Sequence, residues 1–99
     1  MDFYEIKNYE DFYNISKEGN VFSCNTGSCL KPMKSRKGYL QLELYKNTKR
    51  KNVKIHRLVA QTFIPNPQNY RYVKHIDGNK SNNHVLNLQW VKHKSIKSN

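Results

Sequence analysis

The segment from Tyr39 to Ile64 changes its apolar period once, and that change limits the architectures open to the chain. Leu40, Leu42 and Leu44 point one way; Tyr39, Gln41, Glu43 and Tyr45 point the other. Such alternation buries one face of a strand and leaves the other in water. Asn47-Thr48 turns the chain, and Val53 and Ile55 carry the alternation into a second strand. From His56 onward the spacing lengthens. Leu58, Val59, Thr62 and Phe63 share one face of a helix, which Pro65 ends. A hairpin running straight into a short helix is therefore expected, with Lys49, Arg50, Lys51 and Lys54 on the hairpin's outer face.

On either side the signals are shorter. Residues 1–18 mix Tyr4, Tyr9, Phe12, Tyr13 and Ile15 with acidic residues, and Gly19-Asn20 marks a turn. Val21 to Cys24 reads as a short strand, Asn25 to Ser28 as a turn, and Lys34 to Gly38 as a basic turn. Beyond the helix, Asn66 to Asn69 is a loop and Tyr70 to His75 a strand, followed by a tight turn at Asp77-Gly78-Asn79. Asn82 is expected to cap a short helical turn through Val85. Leu88 to Val91 is expected to pair with the preceding strand, with Trp90 and Val91 in the core.

Composition narrows the function. Eighteen Lys and Arg against seven Asp and Glu give a net charge of +11 on 99 residues. Residues 1–18 hold five acids and two lysines, a net of −3, so residues 19–99 carry +14. A basic surface of this strength attracts polyanions and binds phosphate in a salt-dependent way. Lys34, Arg36 and Lys37 in a turn, and the four cations of the hairpin, are candidate DNA contacts, because a two-stranded ribbon fits the major groove. Arg57 and Lys80 join them as candidates. No run approaches the ~20 apolar residues of a membrane span, and residues 1–5 lack the pattern of a signal peptide. The expectation is an intracellular protein, in host cytoplasm or nucleus if viral, with no membrane and no obligate protein partner. Cys24 and Cys29 stand alone, so free thiols are expected rather than a zinc site.

The most specific pattern lies late in the chain. His75-Ile76-Asp77-Gly78-Asn79-Lys80-Ser81-Asn82-Asn83 is followed by Asn87-Leu88-Gln89-Trp90. This resembles the core of HNH endonucleases, with Gln89 where the family carries Glu. His56-Arg57-Leu58-Val59-Ala60, Phe63 and Pro65-Asn66-Pro67 resemble the helix and loop that precede that core. Residues 5–46 resemble the companion module NUMOD4, through Tyr9-Glu10, Tyr13, Ile15-Ser16, Gly19-Asn20-Val21, Ser23, Lys31-Pro32 and Gly38-Tyr39-Leu40. The resemblance implies an α+β fold: a β-rich N-terminal DNA-binding module over residues 1–50, then a helix and a minimal ββα-metal (His-Me finger) HNH hairpin within residues 51–99.

It also implies roles. His75 holds the place of the general base, and a free imidazole pKa near 6.5 suits proton abstraction at neutral pH. Asn87 holds the place of the residue that orients that imidazole, through its amide carbonyl. Asp77 is expected to serve the turn, and Arg57 to clamp the scissile phosphate. The family draws one metal ligand from the residue before the catalytic His, where this chain has Lys74. It draws a second from a closing helix, where Ser95 or Ile96 stands; His93 and Asn99 are the substitutes within reach. An ammonium has no lone pair to donate, so the metal ligands remain unassigned. A divalent cation such as Mg²⁺ is expected if the chain is active. Three readings follow: a metal-dependent DNA endonuclease of the homing type acting on double-stranded DNA, a degenerate HNH relic that only binds DNA, and a basic RNA-binding protein.

Overall fold

A computed structural model describes residues 2–93. Nine strands and one α-helix form three antiparallel sheets around a shared core. The first sheet contains β1 (Phe3–Glu5), β2 (Tyr13–Ser16), β3 (Val21–Ser23) and β4 (Ser28–Cys29), in that order. The second contains β5 (Met33–Lys34), β6 (Leu40–Lys46) and β7 (Lys49–Lys54). Helix α1 (Ile55–Phe63) follows β7 without a loop. The third sheet is the hairpin of β8 (Tyr72–His75) and β9 (Leu88–Val91), with a 3-10 turn at Val85–Asn87 just before β9.

The change of period seen in the sequence falls at Ile55, which opens the helix instead of closing the strand. The Asn47-Thr48 turn has both residues at positive φ, 52° and 63°. This is the twist that suits a two-residue hairpin, though β-branched Thr48 adopts it against its preference. Register then sorts the side chains of the hairpin. Gln41, Glu43 and Tyr45 face Lys54, Asn52 and Arg50, while Leu42, Leu44 and Lys46 face Val53, Lys51 and Lys49. The expectation that Lys49, Arg50, Lys51 and Lys54 share the outer face is thus corrected. With a period of two, only Arg50 and Lys54 lie there; Lys49 and Lys51 take the parity of the Leu42 and Leu44 side, yet both are exposed.

Ile6, just after β1, and Tyr13, Ile15 and Val21 of the first sheet meet Leu42 and Leu44 of the second, Ile55, Leu58 and Val59 of α1, and Leu88 of the third. Because one cluster draws on all three sheets and the helix, the expected boundary at 50/51 falls inside β7 and next to shared packing. Trp90 fastens the last hairpin to the helix end, its indole N–H donating to the Ile64 carbonyl at 3.0 Å. Trp90 and Val91 are half-buried. Asn82 does not cap the short turn directly. His84 does, its Nδ1 accepting from the Leu86 N–H at 3.1 Å.

Candidate active site

His75 ends β8 on the face of the hairpin that packs on α1, since it shares the parity of half-buried Val73 and lies opposite buried Leu88. It is 8% exposed. Around it stand two rings from other elements. His56, in the first turn of α1, has its ring centroid 4.9 Å from that of His75. Tyr39, just before β6, stacks on His56 at 5.0 Å and lies 6.0 Å from His75. His56 is buried, and its Nδ1 has no hydrogen-bond partner. Burial, together with the nearby positive charges of His75, Arg57 and Lys54, pushes its pKa down to about 3. His56 is therefore neutral wherever the protein is folded near neutral pH and does not repel a proton arriving on His75.

The loop between His75 and Asn87 is held by its own amides. Gly78 takes the positive φ of 78° that the turn demands, and its N–H returns to the His75 carbonyl at 2.9 Å. Asp77 Oδ1 accepts from the Asn79 N–H at 2.7 Å and from Asn87 Nδ2 at 2.9 Å; its Oδ2 accepts from Asn82 Nδ2 at 3.1 Å. These bonds, the Asn79 backbone first and then Asn87 and Asn82, hold the Asp77 carboxyl below the usual range. Asp77 thus serves the turn, as its Asp-Gly context suggested.

Asn87 works elsewhere than the sequence reading placed it. Its Oδ1 accepts from the Asp77 N–H at 3.1 Å, and its Nδ2 donates to Asp77 Oδ1 and to the Asn82 carbonyl at 2.8 Å. Both amide hydrogens and the carbonyl are engaged in fixing the turn that follows His75. The amide at the imidazole belongs to Asn83, whose Oδ1 lies 2.7 Å from His75 Nε2, with both residues buried. The two are eight positions apart across an irregular loop, so neither a helical nor a strand period signals the contact.

The basic residues divide into free and engaged. Lys34, Arg36 and Lys37 are exposed on the β5–β6 turn, as are Lys49 and Lys51 at the far end of the β6–β7 hairpin. Arg50 lies 3.7 Å from Glu43. Lys80 is half-buried; its Nζ donates to the Lys37 carbonyl at 2.8 Å and sits 4.6 Å above the Tyr39 ring. It thereby draws the basic turn against the His75 loop. Arg57, expected to clamp the scissile phosphate, donates to the Arg71 carbonyl at 2.9 Å and lies over Trp90 at 5.7 Å. Through Lys80 and Tyr39, the β5–β6 turn is thus linked to the neighbourhood of His75.

A cation held by protein ligands does not fit the donors described here. Lys74 is exposed on the opposite face of the hairpin from His75, facing Gln89. Among the described residues no three His, Cys, Asp or Glu side chains converge on one point. The Asp77 carboxylate is bonded to Asn79, Asn82 and Asn87. His93, one of the two substitute ligands, is exposed; Asn99, the other, and Ser95 and Ile96 at the expected ligand position lie outside the described residues. Cys24 and Cys29 are exposed free thiols. Among the described residues no helix is long and apolar enough to cross a membrane.

Comparison with known proteins gives this geometry a context. Residues 1–45 match the model of the NUMOD4 motif. The chain is 50% identical over 78 residues to an uncharacterized HNH endonuclease, L245, of Acanthamoeba polyphaga mimivirus, which covers 79% of this chain and 24% of that protein. It is 40% identical over 94 residues to the DNA endonuclease I-HmuI of Bacillus phage SP01, covering 95% of this chain and 54% of the relative. A solved structure of DNA binding and cleavage by the HNH homing endonuclease I-HmuI superposes with a TM-score of 0.85 at 40% identity, over 92% of this chain and 52% of that one. The chain thus spans about half the length of I-HmuI and about a quarter of L245.

Proposed function

Because the chain is a relative of the HNH homing endonucleases and carries a NUMOD4 motif in its first 45 residues, we propose that it is an HNH-type endonuclease that nicks or cleaves double-stranded DNA. The observation that carries this reading is a buried, amide-bonded imidazole at the end of a β-hairpin, 6.0 Å from the Tyr39 ring that closes an exposed basic turn. In the proposed reaction the His75 imidazole takes a proton from water. The water oxygen forms a bond to phosphorus as the bond to the leaving oxygen breaks, and the leaving oxygen is protonated from solvent. Lys34, Arg36 and Lys37 hold phosphates of the duplex beside the site, and their contacts position the backbone without reading sequence. Asn87 keeps the turn after His75 in shape, and neutral His56 packs behind the ring. No step is assigned to a metal ion, since the described donors do not form a site for one.

The test is the conversion of supercoiled plasmid to open circle or linear form, measured with Mg²⁺, Mn²⁺ or EDTA. Cleavage is expected to fall by about 10²–10⁴-fold in His75→Ala, the range a general base contributes, with duplex affinity unchanged. Cleavage that survives the substitution would remove His75 from the reaction. Tight, salt-sensitive duplex binding without any cleavage would replace the endonuclease with a DNA-binding protein, and a preference for structured RNA over duplex DNA would replace both. Lys74→Asp exchanges an ammonium for a potential donor and is expected to raise cation-dependent cleavage.

A further inference from the structure

The imidazole of His75 has two nitrogens, and which of them is free to accept a proton decides where a water molecule must stand. An amide oxygen carries only lone pairs, so the proton in the 2.7 Å contact between His75 Nε2 and Asn83 Oδ1 belongs to the imidazole. A neutral imidazole has one ring proton. With that proton on Nε2, the lone pair is on Nδ1. The geometry points to Asn83 as the positioning residue of the site: it locks His75 in the Nε2–H tautomer and leaves Nδ1 as the nitrogen that accepts a proton. This rests on the reading of His75 as the general base.

Three features make Asn83 a fixed reference for the ring. It is 4% exposed, so water competes little for its carbonyl. It is also backed by the N-terminal sheet. A Cβ on Gly19, which sits at φ +93° in the β2–β3 turn, would stand 3.2 Å from both Asn83 Cβ and the Asn83 carbonyl oxygen. The Val85 N–H donates to the Lys17 carbonyl at 2.8 Å and closes the same junction. Finally, the other polar groups near the ring are occupied or differently placed. From α1, His56 presents a ring face; Tyr39 stacks on that ring. From the following turn, the Asp77 carboxylate is bonded to Asn79, Asn82 and Asn87, and the Asn87 amide is bonded to Asp77 and Asn82. The N-terminal module therefore does more than supply cations: its β2–β3 turn is the wall against which the orienting amide rests.

The test is nitrogen-15 NMR of the histidine rings in the full chain, combined with plasmid nicking. In the unsubstituted protein with a neutral imidazole at His75, a protonated Nε2 whose hydrogen exchanges slowly with water, and a bare Nδ1, are expected. Asn83→Leu removes the acceptor. It is expected to lose the slow-exchanging Nε2–H and to lower the nicking rate by about tenfold to a hundredfold, the usual effect of removing an orienting partner, at unchanged DNA affinity. Asn83→Asp keeps an oxygen at the ring and is expected to restore both. A proton on Nδ1 in the unsubstituted protein would overturn the assignment, and that spectrum requires no variant to fold. An Nε2–H signal that persists unchanged in Asn83→Leu would overturn it as well. Unsubstituted protein that shows the protected Nε2–H but never nicks DNA would instead remove the endonuclease reading and leave the tautomer assignment standing.

Discussion

The β6–β7 and β8–β9 hairpins use opposite strategies. The first is organised by apolar alternation: Leu42 and Leu44 are buried, its connection is two residues long, and its charged groups point into water, with Arg50–Glu43 the ion pair found there among the described residues. The second joins its strands through residues 76–87, and that connection is organised by amides. Asp77, Asn79, Asn82 and Asn87 bond one another and the backbone, and Asn83 bonds the ring of His75. An apolar face is tolerant, since hydrophobic burial has no direction. An amide network is intolerant, because removing one partner strands the others. Under the proposed function, the difference shows what each kind of task requires. A surface that holds phosphates needs charges free to move. A base that must abstract a proton at one nitrogen needs a ring that cannot turn.

Substitutions at four places bear on that contrast, taken here in order of expected size. Leu44→Ala deletes a fully buried side chain from the cluster that all three sheets share. It is expected to lower stability by about 2–5 kcal/mol, read from urea denaturation, and a loss below 1 kcal/mol would show that the cluster is not the common core. Asn87→Ala takes the side-chain acceptor from the Asp77 N–H and the side-chain donor from the Asn82 carbonyl, and it removes one of the three bonds to the Asp77 carboxylate. It is expected to cost about 1–3 kcal/mol and to speed amide hydrogen exchange at residues 76–87 before the rest of the chain. Uniform acceleration across the chain would mean that the turn is not a separate unit.

Acid offers a third measurement. The folded pKa of His56, about 3, lies below its ordinary value of 6.5, so between these pH values the unfolded chain binds the extra proton. Stability is then expected to be complete above pH 6.5 and to fall as pH drops toward 3, by at most about 1.4 kcal/mol per pH unit from this group. His56→Phe, which keeps a buried ring without a titrating nitrogen, is expected to flatten that slope; an identical slope in the variant would assign the acid sensitivity to other groups. The smallest stability change is expected from replacing Lys34, Arg36 and Lys37 together with Ala. As exposed turn residues they should alter stability by within about 0.5 kcal/mol, while the salt dependence of duplex binding, plotted logarithmically, loses about 0.9 in slope per phosphate contact. An unchanged slope would move the DNA-facing surface elsewhere.

Much of this organisation was legible along the chain. The leucine alternation placed β6, the lengthened period placed α1 within a residue at each end, and Asp77-Gly78 placed its turn, because each rests on a local rule of spacing or backbone preference. The His75 to Asn87 spacing marked out the loop, and in the structure it is the Asn83 amide oxygen, not that of Asn87, that lies against the imidazole. Spacing alone does not distinguish two asparagines four residues apart when neither lies on a strand or an α-helix. Arg57 was likewise misplaced. Its neighbour His56 turns toward His75, and a helical step of 100° carries Arg57 to Trp90 and the Arg71 carbonyl instead.

The sequence by itself determined the hairpin, the helix, the excess of positive charge and the loop that contains His75, since periodicity and composition act over a few neighbouring residues. Only the tertiary structure decided which amide reaches the imidazole, that Lys80 draws the basic turn against the loop, and that Gly19 backs Asn83. Those contacts join residues 8, 43 and 64 positions apart. They exist because one small core pulls three sheets together, and no local rule encodes which loops that collapse brings face to face.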